Sequence, residues 1–324
     1  MNVVLFNELS LSRNISGFNF PSKLDVKDGN EIFKNIDNAI ENNGYEFIKT
    51  CEMSSLDKLQ LLQKIRDGAE ILKNESISGV YFNDSLPNIL VNGKDHIKII
   101  KESRDLNLKE NYDEISKIDD LIDDKIKYSF REDFGFLTSN PNLCGTGLRI
   151  KVYLHLPATN YYSIDSISNS LQKLGYRINP MFLYNKGSLD LFELVLDKNL
   201  GTKEEDNIDK LLSITKEIVE IENQNRKNLY LDRIMDLEDM VNRAYGILSN
   251  ARIISEDEMI DCFSKLFLGI ELSVIKPSIS LNLLDTINNF KNGNLQIQRR
   301  SLLDERTRDI LRANNIRKMM KEVF

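Results

Sequence analysis

Residues 145–157 constrain the fold more than any other stretch, and they read GTGLRIKVYLHLP. From Arg149 to Leu156, basic or polar residues alternate with apolar ones. A two-residue period is typical of a strand that buries one face and leaves the other accessible. The stretch therefore predicts a half-buried strand, with Arg149 on its more polar face.

Several shorter segments on either side of this strand show a strand or helix period. Residues 79–83 and 88–92 are β-like runs separated by a turn that contains proline, which predicts a hairpin. Residues 96–100 predict another strand, whereas residues 56–65 and 116–131 have helical spacing. Because helices and strands do not alternate strictly, we predict an α+β fold with a mainly antiparallel sheet flanked by helices.

The spacing of apolar residues along the chain changes after Gly201. From there to the end the apolar residues recur at helical steps, with breaks at Ser255, at Pro277 and at residues 292–294. The sequence therefore predicts a mixed domain at residues 1–229 and an α-helical domain at residues 230–324.

Composition excludes several classes of protein. The chain has 324 residues and a formal net charge of −7, which argues against general nucleic-acid binding. Two histidines exclude a His-rich metal site, and three scattered cysteines fit a reducing compartment. No apolar run reaches the roughly 18 residues of a membrane span, and the first residues lack a signal-peptide pattern. We therefore expect a cytoplasmic protein with no membrane contact and no metal site.

Several short motifs occur in one order along the whole chain. They include KIDDL at residues 117–121, FGFLTS at 134–139, GTGLR at 145–149, HLP at 155–157, LGTKEED at 200–206, YGIL at 245–248 and RDILRA at 308–313. In order and spacing this set resembles the bacterial protein arginine kinases of the ATP:guanido phosphotransferase family. The resemblance implies a guanidino-kinase-type sheet domain with a trimmed N-terminal part, followed by a helical domain for dimerisation and phosphoarginine binding.

The resemblance also implies which positions would carry the chemistry. Members of the family bind the ATP phosphates with arginines. Their glutamates orient the substrate guanidinium and accept a proton from it. In this chain Glu8 and Ser10 stand where two of those arginines are expected. Lys94 occupies the position of a catalytic carboxylate beside Gly93, and Lys98 replaces a phosphate-binding arginine. A protonated lysine cannot accept the proton of a guanidinium, so we predict no catalytic residue at this position.

The second family glutamate is also missing. The matching position is Leu183 if no gap is allowed, or Lys186 if the following Gly-Ser pair is aligned. Arg149 survives at the position of a phosphate-binding arginine. The resemblance thus leaves Arg149 and Lys98 as remnants of a nucleotide site.

The C-terminal RDILRA motif predicts a binding site on a helix that begins near Ser301. Arg308 and Arg312 lie four residues apart, so they share a helix face with Asp309 beside them. The resemblance implies that Arg308, Asp309, Arg312 and Ala313 bind phosphoarginine. The alternative is a solvated helix face whose arginines pair with neighbouring acids.

Three functions remain open at this point. The first is a catalytically impaired protein that binds phosphoarginine or regulates bacterial stress-response proteolysis, without a cofactor. The second is an active protein arginine kinase that uses Mg-ATP, in which Glu132, Asp133 or Glu193 substitutes for the lost glutamates. The third is a subunit that pairs with an intact kinase paralogue. The expected partners are a second copy or that paralogue, arginine-phosphorylated proteins, and a Clp-type protease or repressor.

Overall fold

The computed structural model describes residues 3–41, 43–181, 183–184, 187–196 and 199–324. Its strands are β1 (Val4–Arg13), β2 (Glu46–Lys49), β3 (Gly79–Phe82), β4 (Asn88–Val91), β5 (Ile97–Ser103), β6 (Phe130–Arg131), β7 (Gly135–Phe136), β8 (Leu148–His155), β9 (Tyr176–Pro180), β10 (Leu183–Tyr184), β11 (Gly187–Ser188) and β12 (Leu191–Leu196). Eight of these form one antiparallel sheet in the order β2-β3-β4-β5-β1-β8-β12-β9. The other four form two short hairpins.

The helices flank this sheet and make up the C-terminal part of the chain. They are α1 (Val26–Ala39), α2 (Ser55–Lys64), α3 (Leu108–Asp123), α4 (Pro157–Lys173), α5 (Glu204–Asp232), α6 (Ile234–Asn250), α7 (Glu256–Glu271), α8 (Leu283–Phe290), α9 (Asn292–Arg299) and α10 (Glu305–Val323). Four 3₁₀ segments, Pro21–Lys23, Thr50–Glu52, Arg66–Lys73 and Pro141–Leu143, complete the described elements. The predicted α+β class and the helical C-terminal part are confirmed. None of the described helices is long and apolar enough to cross a bilayer.

Side-chain alternation divides the sheet into an apolar face and a polar face. The apolar face packs against α1, α3 and α5 in the largest hydrophobic core, to which β1 contributes Leu9 and β8 contributes Ile150 and Val152. On the opposite face, β1 carries Glu8, β5 carries Lys98, and β8 carries Arg149 and Lys151. This polar face bears four of the residues singled out in the sequence, namely Glu8, Ser10, Lys98 and Arg149.

Two sequence predictions about helices have different outcomes. The helix predicted at residues 56–65 is α2, and Ser54 begins it with a capping box that includes Asp57. The helix predicted at residues 116–131 is wrong in its bounds, because α3 spans Leu108–Asp123 and residues 130–131 lie in β6. The predicted domain boundary at 229/230 falls in the last turn of α5 and stays a prediction.

A buried arginine ties the sheet domain to the C-terminal helices. Arg226 of α5 is fully buried, and its Nε lies 2.5 Å from Glu222 Oε1. Its other nitrogens contact Glu271 of α7 and donate to the carbonyl oxygen of His155 at 3.1 Å. Glu222 in turn accepts a hydrogen bond from the backbone N–H of Thr159 at 2.8 Å. One guanidinium thus connects α5, α7, β8 and the start of α4.

We expect Arg226→Met to destabilise the protein by about 3–5 kcal/mol, because the buried Glu222 carboxylate would lose its cation. Arg243→Met is the matched control, since Arg243 also pairs with an acid four residues earlier but is exposed. We expect it to cost no more than about 0.5 kcal/mol. Urea unfolding of both variants measures the difference, and equal costs would contradict the role given to Arg226.

Candidate functional site

Strand register brings the predicted site residues of three strands together on the polar face. Glu8 of β1 lies opposite Lys151 of β8 on one side and opposite Glu102 of β5 on the other. Ser10 lies opposite Arg149 in the next row. Because residues two apart on a strand share a face, these side chains form a short polar array across the middle of the sheet.

The 3₁₀ segment Arg66–Lys73 covers this array with two carboxylates. Lys98 Nζ lies 2.7 Å from Asp67 Oδ2 and 2.7 Å from Glu70 Oε2. Lys151 Nζ lies 2.9 Å from Asp67 Oδ1 and 2.5 Å from Glu8 Oε1. Asp67 therefore bridges two lysines. We call Glu8, Asp67, Glu70, Lys94, Lys98 and Lys151 the acid–lysine network.

Burial and pairing shift the titration of this network in opposite directions. Burial raises the pKa of Glu8 to about 7, and the nearby Lys151 only partly offsets that effect. Burial alone would also raise the pKa of Asp67, but Lys98 and Lys151 outweigh it and hold the pKa below its ordinary value. For Lys98 and Lys151 the adjacent carboxylates overcome the effect of burial, so both pKa values are raised. Both lysines are therefore charged at neutral pH, with their charge balanced inside the protein.

Lys94, which the resemblance predicts to stand in place of a catalytic carboxylate, is the exposed end of the network. Its Nζ lies 2.9 Å from Glu70 Oε1, and its side chain is 56% exposed. Its backbone carbonyl accepts a hydrogen bond from Ser139 Oγ at 2.6 Å. A charged lysine in this position repels a guanidinium and cannot take up its proton.

The two predicted nucleotide remnants have different surroundings. Lys98 is buried and its charge is neutralised by two carboxylates. Arg149 is half-buried, and its guanidinium has no ion pair or hydrogen bond within the part of the chain described above. Ser10, its neighbour across the strands, is buried, and its hydroxyl likewise finds no partner among the described residues. Of the two cations, Arg149 is the one that has no partner among the residues that the structure describes.

The candidate replacement carboxylates are spread over separate elements. Glu193 of β12 lies opposite Tyr153 of β8 and accepts a hydrogen bond from Asn179 at 3.1 Å. Glu132 is exposed in the turn between β6 and β7, and Asp133 there pairs with Arg131 at 2.8 Å. Lys186 and the side chain of Leu183 lie outside the described residues, so the second family position has no structural description.

The C-terminal motif lies on α10, which begins at Glu305 after the N-cap Asp304. Arg312 is fully buried, and it donates to the carbonyl oxygens of Phe290 (2.9 Å) and Ile254 (2.8 Å) and to Asp309 Oδ1 (2.5 Å). Arg308 is half-buried and donates to the carbonyl oxygen of Leu303 at 2.7 Å.

The two arginines of this motif converge on one acceptor. Arg308 Nε donates to Asn292 Oδ1 at 3.1 Å, and Arg312 Nη2 contacts the same oxygen. Ala313 is buried in the core of the C-terminal helices. The structure thus brings Arg308, Asp309 and Arg312 together, with an amide oxygen between the two guanidiniums. Phosphoarginine binding here stays a prediction.

Sequence reasoning missed the carboxylates Asp67 and Glu70 and did not single out Lys151. Asp67 and Lys151 are 84 residues apart, and no local motif marks Asp67. The one available signal was the alternation of residues 149–156, which places Lys151 on the same strand face as Arg149.

The eight-stranded antiparallel sheet with flanking helices is the fold that the resemblance to guanidino kinases predicts, and comparison with known proteins agrees. The model of the ATP:guanido phosphotransferase C-terminal catalytic domain matches residues 29–225, and that of the protein-arginine kinase McsB C-terminal domain matches residues 234–323. The chain belongs to the ATP:guanido phosphotransferase family.

Within that family the chain is similar to protein-arginine kinases over nearly its whole length. The protein-arginine kinase of Clostridium perfringens is 33% identical, with 97% of each chain covered. That of Clostridium tetani is 30% identical over 99% of this chain and 96% of the relative. The duplicated taurocyamine kinase from Schistosoma mansoni has a TM-score of 0.63 at 17% identity; the match covers 85% of this chain and 47% of that enzyme, and it shows a shared fold.

We expect the free energy of unfolding to fall as pH rises from 5 to 8, more in the wild type than in Glu8→Gln. Glu8 has a raised pKa of about 7 when folded, so the folded state keeps a proton that the unfolded chain has already lost. That stabilisation is fully present below the ordinary carboxyl pKa and is lost as pH rises through about 7. The pKa of Asp67 is lowered, so the stabilisation that its ion pairs contribute would be lost only at more acidic pH.

Urea titrations at several pH values between 5 and 8 measure this difference, which we expect to be on the order of 1–3 kcal/mol. Glu132→Gln, an exposed carboxyl replaced in the same way, is the control and should follow the wild type. Parallel curves for the wild type and Glu8→Gln would show that Glu8 is not titrating in this range.

Proposed function

We propose that this chain is a protein-arginine-kinase-like protein that has lost phosphoryl transfer and acts by binding, as a regulatory component of protein quality control. The acid–lysine network carries the proposal. In this network Lys98 and Lys151 already form ion pairs with the carboxylates of Glu8, Asp67 and Glu70. Neither lysine is therefore available to bind a nucleotide phosphate.

The energetic argument concerns what ATP would have to displace. For a phosphate to reach Lys98, the half-buried Asp67 and Glu70 would each have to give up one of the two lysines that they contact. Leaving a buried charge with no partner costs about 3–5 kcal/mol, and the cost here is smaller because each carboxylate keeps its second lysine. Glu8 adds repulsion in its ionised form, which is populated as pH rises through about 7, and one unit charge at 4 Å is worth about 4 kcal/mol at an effective dielectric of about 20. Arg149 alone would have to compensate for both terms.

The second candidate is an active protein arginine kinase that uses Mg-ATP. It is favoured by relatives at 30–33% identity over nearly the full length that are named protein-arginine kinases. Arg149, whose guanidinium has no internal partner among the described residues, would then be its principal phosphate ligand. Of the candidates Glu132, Asp133 and Glu193, only Glu193 lies in the eight-stranded sheet, on the strand next to β8.

The binding role would belong to α10. Asn292 Oδ1 lies where the donors of Arg308 and Arg312 converge, so a phosphoryl oxygen of phosphoarginine would take the place of that amide oxygen. Asp309, already in contact with Arg312, would be available to the guanidinium part of the ligand. The partners would be arginine-phosphorylated proteins, together with a Clp-type protease or repressor. A second copy or an intact kinase paralogue would complete the assembly.

We expect calorimetric titration with Mg-ATP to give no saturable heat up to millimolar ATP, which corresponds to binding weaker than about −4 kcal/mol. The reason is that Lys98 and Lys151 are already neutralised and Glu8 repels polyphosphate. The Clostridium perfringens relative, titrated under the same conditions, is the positive control. Micromolar binding by a folded sample of this chain would overturn the proposal and favour the active kinase.

We expect free phosphoarginine to bind the wild type and to bind Arg308→Gln about tenfold more weakly, because one charge-assisted contact of about 1.4 kcal/mol is lost. Arg306→Gln, an exposed arginine on the same helix, should bind as the wild type does. Arg308 is preferred to Arg312 for this test because the fully buried Arg312 also supports the fold. Equal affinity in the wild type and Arg308→Gln would show that α10 does not bind phosphoarginine through Arg308.

A further inference from the structure

One edge of the eight-stranded sheet is open beside a groove. The strand order places β2 at that edge, and among the described strands β2 pairs with β3 only. The groove has a volume of about 550 Å³ and lies between the side chains of β2 and β3 and those of α2. Ile48 of β2, Phe82 of β3 and Leu61 of α2 supply part of its apolar lining. Because Ile48 belongs to both, the sheet edge and the groove form one surface.

The backbone of β2 presents unpaired hydrogen-bonding groups along this edge. The N–H of Thr50, the residue after β2, donates to the carbonyl oxygen of Ser78 at 3.0 Å and continues the ladder to β3. Hydrogen-bonded pairs alternate along an antiparallel ladder, so Ile48 bonds to β3, whereas the N–H and C=O groups of Phe47 and Lys49 point away from it. No other described segment bonds to these groups. The edge can therefore pair with one more strand.

Carboxylates around the groove outnumber its lysine. Glu46, Glu52 and Asp84 are exposed, and none of their carboxylates forms an ion pair or hydrogen bond within the part of the chain that the structure describes. Asp57 at the start of α2 adds another carboxylate, and Lys64 is the one cation among the described lining residues. The groove therefore carries a net negative charge, which attracts a basic ligand.

We propose that the edge of β2 binds an extended, basic segment of a partner polypeptide as an additional strand of the sheet. The backbone of that segment would pair with the outward N–H and C=O groups of Phe47 and Lys49. Every second side chain of a strand points to the same side, so alternate lysines or arginines would reach the carboxylates of the groove. Neither β2 nor α2 contains a residue of the acid–lysine network or of the C-terminal motif, so this surface is additional to those of the proposed function.

The charge of the groove and the open edge together select one kind of partner. An acidic strand would be repelled, and an apolar strand would face the carboxylates of Glu46 and Asp84 without compensating them. A small polyvalent cation would pair with the carboxylates but would leave the backbone groups of Phe47 and Lys49 unpaired. An extended chain with basic side chains at alternate positions satisfies both sets of groups.

The test is fluorescence anisotropy with a labelled short peptide of alternating lysine and threonine, titrated with the full chain at low ionic strength. We expect saturable binding of this peptide and no binding of the matched peptide of alternating glutamate and threonine. The Glu46→Gln/Asp84→Asn variant should bind the lysine peptide about tenfold more weakly, because two ion pairs are lost. Glu217→Gln/Glu220→Gln, which removes two exposed carboxylates from α5, is the control and should bind as the wild type does.

The variant Lys49→Pro separates strand addition from charge attraction. Lys49 has φ −73° and ψ 137°, which proline adopts without strain. Lys49→Pro and Lys49→Ala both lose the side-chain hydrogen bond to Asn30, but only Lys49→Pro removes the outward N–H. We expect Lys49→Ala to bind the lysine peptide at least as well as the wild type, and Lys49→Pro to bind it about tenfold more weakly than Lys49→Ala.

Three results would overturn the proposal, provided that circular dichroism shows every variant to be folded. The first is the absence of saturable binding of the lysine peptide to the wild type, or equal binding of the glutamate peptide. The second is equal affinity in the wild type and Glu46→Gln/Asp84→Asn, which would show that the groove does not select basic segments. The third is equal affinity in Lys49→Pro and Lys49→Ala, which would show that the groove attracts cations without adding a strand.

Discussion

The rest of the structure depends on the position of the Asp67 carboxylate between Lys98 and Lys151. These two ion pairs hold the 3₁₀ segment Arg66–Lys73 against the middle of the sheet. They also bring Arg66 to the stacked rings of Phe6 and Tyr153. Asp67 in this segment thus pairs with Lys98 and Lys151, while Arg66, the residue before it, lies against the two aromatic rings.

The C-terminal helices reinforce this arrangement through buried cations. Phe6 and Tyr153 share a hydrophobic core with α7, α8 and α10, so the helical part packs on the same face of the sheet. Arg226 and Arg312 are both fully buried, and each connects several segments through backbone carbonyls and carboxylates. A buried guanidinium must have its donors and charge satisfied, and these contacts fix the relative positions of the elements that they join.

The sequence was sufficient for the fold class and for local elements with strong patterns, such as the strand at residues 149–156 and the capped helix α2. It was misleading for α3, whose first turns bury Leu108, Asn111 and Ile115 although Asn107 makes no side-chain cap. The replacement of the family's charges by Glu8 and Lys94 is implied by the resemblance and stays a prediction. The contacts of Asp67 could not be predicted from the sequence, because Asp67 meets its lysines only through long-range packing.

The most direct test of the central claim is a phosphoryl-transfer assay. The folded protein would be incubated with Mg-ATP and an unfolded, arginine-rich protein substrate, and phosphoarginine would be quantified by mass spectrometry under non-acidic conditions. The Clostridium perfringens relative is the positive control. A sheet face closed by the acid–lysine network predicts no phosphoarginine above the level without enzyme. Turnover within about tenfold of the relative, a barrier difference of about 1.4 kcal/mol, would contradict it.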